Sequence, residues 1–160
     1  MISYLQYLQF SPYFAQQDIE KEESRLKFFK SFDELPQKIK DLLASMVTAE
    51  KIMNIGQTFG LDEFDTEAIA LAVRKIATGE IFVGDAANFI VNETELPYEQ
   101  TKTLVGSIVS EIFPPALDEI YKVQSAKFPQ RPETAPNTSR QPDPVQPGNP
   151  NVINLRNRQN

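Results

Sequence analysis

The chain has 160 residues, enough for one domain with extensions. It contains no cysteine and no histidine, which excludes a disulfide framework, a thiolate metal site and every Ser-His or Cys-His nucleophile pair. Its formal charge of −6 runs against non-specific nucleic-acid binding, which depends on neutralising phosphates. The charge is uneven: residues 1–125 hold 11 Lys and Arg against 20 Asp and Glu, whereas residues 126–160 hold 5 against 2. An acidic body with a mildly basic tail is the pattern of a solvated domain carrying an appendage.

The first segment, Met1–Phe14, is rich in aromatics: Tyr4, Tyr7, Phe10, Tyr13 and Phe14. Ile2, Leu5 and Leu8 recur at helical spacing, which predicts a short helix. Its plain role is to cover an edge of the core. Its sharper role is to present Tyr4, Leu5, Tyr7 and Leu8 to a partner or to a membrane surface, although it lacks the Lys/Arg flank that strengthens membrane binding. It also lacks the basic start and continuous apolar run of a signal peptide, so the expected location is the cytoplasm. No stretch reaches the roughly 18 apolar residues that a bilayer-spanning helix needs.

Ser11-Pro12 reads as a cap followed by proline in a first turn, opening a helix to about Lys30. Ile19, Leu26 and Phe29 are its expected inward residues, with Glu20–Glu23 on a solvated face. Pro36 opens a further helix to about Ala44, with Ile39, Leu42 and Leu43 inward.

From Thr48 to Phe113 one helix–turn–helix unit is written twice, over 48–79 and 85–113. Ile52, Met53 and Asn54 match Ile90, Val91 and Asn92. Leu61, Ile69, Val73 and Ala77 match Leu96, Leu104, Ile108 and Ile112. Thr48 is the expected cap of the first helix, Gly60 its left-handed stop, Asp62 or Asp65 the cap of the second, and Gly79 the stop of that. Asp85 is the expected cap of the third helix, and Pro97 opens the fourth. Gly106 in the fourth suggests a close helix–helix contact. Pro114-Pro115 must end or kink it, because proline disfavours helical geometry at Phe113. A last helix bears Leu117, Ile120 and Tyr121.

The acids Asp62, Glu63, Asp65 and Glu67 invite comparison with a calcium-binding loop. The loop is too short, has no glycine at its sixth position, and lacks the closing bidentate glutamate. Capping and dipole complementation account for these acids instead. Gly79 and Gly84 are isolated and form no phosphate loop, so no cofactor is expected. No pair of carboxylates stands out for acid–base work.

Beyond Phe128, residues 129–150 hold seven prolines, which predicts a disordered, extended linker. An island follows, in which Val152, Ile153 and Leu155 return beside Arg156 and Arg158. An apolar-plus-basic island beyond a linker has the form of a docking motif.

The series LPxxIKxxL (35–43), TAExIxxIGxxxxL (48–61), IAxxVxxIxxG (69–79) and IxxEIFxP from Ile108 resembles a family of small, uncharacterised all-helical bacterial proteins. The resemblance spans a little over half of the chain. It implies a compact helical domain and carries no catalytic residues.

The reading as a whole is an all-α bundle of about five to seven short helices. An N-terminal extension (1–34) packs on a helical domain (35–126), followed by a linker (127–150) and a docking motif (151–160). The expected role is a non-enzymatic module that binds a protein partner or self-associates, without nucleic acid. Peripheral membrane association through the first segment is the alternative, and an enzyme working through carboxylates is the least favoured.

Overall fold

The computed structural model describes residues 1–15 and 22–131, and within them every regular element is helical. Eight α-helices follow in order: α1 Tyr4–Phe10, α2 Glu22–Asp33, α3 Gln37–Leu43, α4 Met46–Thr58, α5 Glu63–Ala77, α6 Ala86–Glu93, α7 Tyr98–Ser107 and α8 Leu117–Lys127. Short 3-10 turns precede α6 and α8, and a single π-turn, Ile108–Ile112, continues α7. Ile19, the proline-rich linker from residue 132 and the island at 151–160 lie outside the described residues.

The centre of the bundle is α5. A helix at the surface of a globular protein buries one stripe, but ten of the fifteen residues of α5 are buried, including Ala70, Leu71 and Ala77 beyond the expected Ile69, Ala72, Val73 and Ile76. Its alanines let neighbours approach from several sides, and α1, α3, α4, α6 and α8 all pack on it. The tightest crossing is with α4. There a Cβ on buried Gly56 would lie 2.3 Å from Thr66 Oγ1, so only glycine lets α4 sit this close.

Local chemistry explains most boundaries. Ser3 opens α1 with a reciprocal box: its Oγ accepts from the Gln6 N–H (3.3 Å), and Gln6 Oε1 accepts from the Ser3 N–H (2.9 Å). Asp62 caps α5 by accepting the Asp65 N–H at 2.8 Å. Gly60 and Gly79 take φ of 70° and 73° and close their helices as expected. The Leu61 N–H returns to the Gly56 carbonyl (2.9 Å) and the Glu80 N–H to the Lys75 carbonyl (2.8 Å), satisfying carbonyls that a helix end leaves unpaired. In the two helix pairs the matched positions share one environment. Ile52 and Ile90 are buried, as are Val73 and Ile108, while Asn54 and Asn92 are exposed.

Several local expectations are corrected. Pro12 does not open a helix: α1 ends at Phe10, Ser11 is its C-cap, and Pro12 is buried in a turn where the Phe14 and Ala15 N–H groups bond the Ser11 carbonyl. In α2, Leu26 is 60% exposed and Phe29 is exposed as well, although its ring lies 6.0 Å from Tyr13, while Phe28 and Phe32 are the half-buried rings on Tyr13. Ser45, not Thr48, caps α4; its Oγ accepts from Val47 and Thr48, and Thr48 is buried inside the helix.

Asp85 occupies the cap position of α6 without capping it, since its carboxylate pairs with Arg131. Gly106 is exposed and a Cβ there would meet nothing within 4 Å, so no helix crosses at that point. Leu117 and Tyr121 are exposed, whereas Ile120 and Gln124 face inward. Gln124 Nε2 donates to the carbonyls of Ile76 (2.7 Å) and Ile81 (2.9 Å), and its Oε1 accepts from Val83 N (3.0 Å). One buried amide therefore ties the loop after α5 to α8.

Candidate functional site

The N-terminal aromatics form a chain of touching rings. Tyr4 lies 6.4 Å from Tyr7, Tyr7 5.8 Å from Phe14, and Phe14 4.9 Å from Tyr13. Tyr13 then meets Phe28 at 6.0 Å and Phe32 at 4.9 Å, mostly edge to face. The Tyr7 hydroxyl donates to the Ala44 carbonyl (2.8 Å), and the Tyr13 N–H to the Leu43 carbonyl (3.1 Å), so the segment is stitched to the end of α3.

The four α1 residues singled out from the sequence are thus divided. Tyr7 and Leu8 are half-buried, while Tyr4 (68% exposed) and Leu5 (76%) face outward. Leu8 and Phe14 line a groove of about 500 Å³ against Phe64, Ala68 and Leu71 of α5. Phe64 is 80% exposed at its rim. Acids flank it: Gln9 Nε2 reaches Glu67 (3.0 Å), and Glu63 lies 3.5 Å from the same nitrogen. The tail residues Val152, Ile153, Leu155, Arg156 and Arg158 lie outside the described residues.

The ring chain ends on Arg74. Its guanidinium sits 4.5 Å over the Phe28 ring and donates through Nη1 to the Ala15 carbonyl. Arg74 is only 9% exposed, and its Nε has no hydrogen-bond partner. Burial draws the guanidinium below its ordinary range and nearby Glu80 partly offsets this, yet arginine stays charged at any physiological pH. Above it opens a second groove of about 700 Å³, between α2 and the C-terminal ends of α5 and α8. From the sequence Arg74 looks like one of two last-turn cations complementing the α5 dipole. Nothing in the periodicity distinguishes it from Lys75, because α5 is buried on the side where a surface helix would be wet.

Of the acids at the α4–α5 loop, Asp62 caps α5, and Glu63 and Asp65 stand in its first turn. Among the described residues no group of three or more His, Cys, Asp or Glu could hold a metal ion. Asp65 is held above the ordinary carboxylate range, first by desolvation and then by the charges of Asp62 and Glu95. A carboxyl whose folded pKa is raised binds its proton more tightly in the native state, so ionisation costs stability as pH rises through its titration. Asp65→Asn is therefore expected to melt higher than the parent at pH 7, with the gap closing once the pH falls below the ordinary value of 3.8. Paired thermal melts across that range check it, and a gap that widens in acid would contradict it.

Neither a family model nor a curated protein nor a solved structure matches the chain. No described helix is long and apolar enough to cross a membrane.

Proposed function

We propose that the protein is a non-enzymatic, cytoplasmic protein-binding module. Its helical body offers the α1–α5 groove, and the island at 151–158 tethers a second contact across the linker. The observation that carries this is the face made by Leu8, Phe14, Phe64, Ala68 and Leu71. Phe64 stands largely in solvent at a concave groove with Leu8, Phe14, Ala68 and Leu71 among its lining, and Leu5 is exposed on α1, an arrangement that marks an interaction site more often than scattered single residues do. Glu63 and Glu67 at its edge favour a partner segment that is apolar and basic. The chain's own island has that chemistry, which makes self-association through a second copy the natural variant of the same reading. The resemblance of its four motif stretches to small helical bacterial proteins agrees with it, because that resemblance implies a compact domain without catalytic residues.

The test is affinity capture from the native cell with three baits: the intact chain, a form lacking 151–160, and Leu5→Glu/Phe64→Glu. Both substituted residues are exposed, so the fold is expected to survive. Each altered bait should lose a partner, or its own second copy, that the intact chain retains. An unchanged set from both would end the proposal.

Peripheral membrane association through Tyr4 and Leu5 is the second reading, favoured by the outward position of both. The acids around α1 oppose it, since anionic lipid surfaces attract basic segments. In liposome flotation with neutral and anionic vesicles, the intact chain is expected to stay in the lower fraction.

A further inference from the structure

We propose that the groove above Arg74 is a binding site for a phosphate group, carried by a small soluble molecule or by a lipid headgroup. The inference stands independently of the α1–α5 face. Buried charges in proteins are ordinarily paired, yet Arg74 is 9% exposed, forms no ion pair with any described carboxylate, and keeps one nitrogen without a hydrogen-bond partner. Glu80, the acid nearest in sequence, is already engaged by Lys75 and by the Thr78 hydroxyl.

Four more cations line the same groove: Arg25, Lys27, Lys75 and Lys127. Among the described residues, two acids, Glu34 and Glu80, accompany them. In a chain where acids outnumber cations 22 to 16, that local excess is an inversion. The helix dipole explains part of it, because Arg74, Lys75 and Lys127 sit in last turns. It does not explain Arg25 and Lys27, which lie on α2 before its last turn and face the groove from the other side.

A phosphate suits this arrangement because it carries close to two negative charges and three acceptor oxygens, which a guanidinium and several separated ammonium groups can share. The groove is far larger than the anion alone and falls within the range of small-molecule sites. Phe28, Leu35, Pro36 and Val123 supply an apolar wall for the rest of the ligand.

The test is calorimetric titration of the full-length chain with pyrophosphate, and sedimentation with phosphatidylglycerol vesicles, each at ionic strength matched with sodium chloride. Arg25→Ala/Lys27→Ala/Lys127→Ala removes exposed rim cations and leaves Arg74 and the core in place. Lys102→Ala/Lys122→Ala, away from the groove, is the charge control. The expected result is saturable binding that the rim variant weakens by about tenfold or more while the control keeps it. Pyrophosphate binding assigns the phosphate to a soluble ligand, and binding to vesicles alone assigns it to a lipid. The proposal fails if neither probe binds or if the two variants lose affinity equally.

Discussion

Phe113→Ala is expected to lower the unfolding free energy by about 3–5 kcal/mol, the range for emptying a phenylalanine site in a packed core. Phe113 is 1% exposed and is the largest fully buried side chain among the described residues. The backbone around it leaves little room to collapse into the space. The π-turn at Ile108–Ile112 widens the end of α7 so that Ile108, Ile112 and Phe113 all point inward, and the Phe113 N–H bonds the Ile108 carbonyl five residues back (3.2 Å). Pro114 follows directly. Phe113 nevertheless keeps φ −73° and ψ −20°, inside the helical region that a following proline disfavours, and this corrects the simple expectation of an extended residue there.

The helix is thus ended by a widened turn as much as by the prolines, and Phe113 is the wedge that the turn aims. In thermal melts the midpoint should fall by at least about 10 °C. Phe64→Ala, the same change at an exposed position, should stay within about 0.5 kcal/mol of the parent. Equal losses from the two would mean that Phe113 is not the packed residue described here.

Arg74→Ala should release α2 from the body, weakening its docking by about 2 kcal/mol. Among the described residues no other helix packs closely along α2. It is held by rings: Phe28 and Phe32 on Tyr13, Phe28 under Arg74, and Lys40 at 6.0 Å from Phe32 while it bonds the Asp33 carbonyl (2.6 Å). A hydrogen bond from a charged donor contributes about 1.5–3 kcal/mol, and a cation–π contact about 0.5–2 kcal/mol. Relief of the desolvated charge offsets part of that sum. Hydrogen exchange is the measurement, because the loss should be local. Protection should drop across 22–33 and at Phe14 and Ala15, while α5 keeps its own. Arg74→Lys retains the charge without the planar fork and should recover less than half of the loss. Full recovery by lysine would reduce Arg74 to a charge without directional contacts.

Helix content was legible in the sequence wherever one short-range rule dominated. Ile39, Leu42 and Leu43 follow helical spacing and are buried. Asp62 caps α5 with its own side chain, and Gly60 and Gly79 take the positive φ that ends α4 and α5. These are interactions within about five residues, so local sequence contains all the information they need. Where two local signals competed, the sequence could not choose between them. Thr48 is the expected cap of α4, but Ser45 three residues earlier caps it and Thr48 is buried inside the helix. Phe28 and Phe29 are neighbours on α2 and both lie 6.0 Å from Tyr13, and it is the position of Arg74, over Phe28, that sets the two apart.

What the sequence determined by itself is the class of the fold, its helix stops, and the absence of the histidine and cysteine chemistries, since composition and nearest-neighbour geometry suffice for these. Tertiary structure alone decided that α5 is wrapped on nearly all sides, that Gln124 holds the loop after it, and that the aromatic first segment divides into a stitched half and an exposed half. It also decided that Arg74, one of two adjacent cations at a helix end, lies under a ring with a groove above it. Each of these depends on which residues from distant parts of the chain meet, and burial and the meeting of charges follow from that assembly. Spacing along the chain does not encode it.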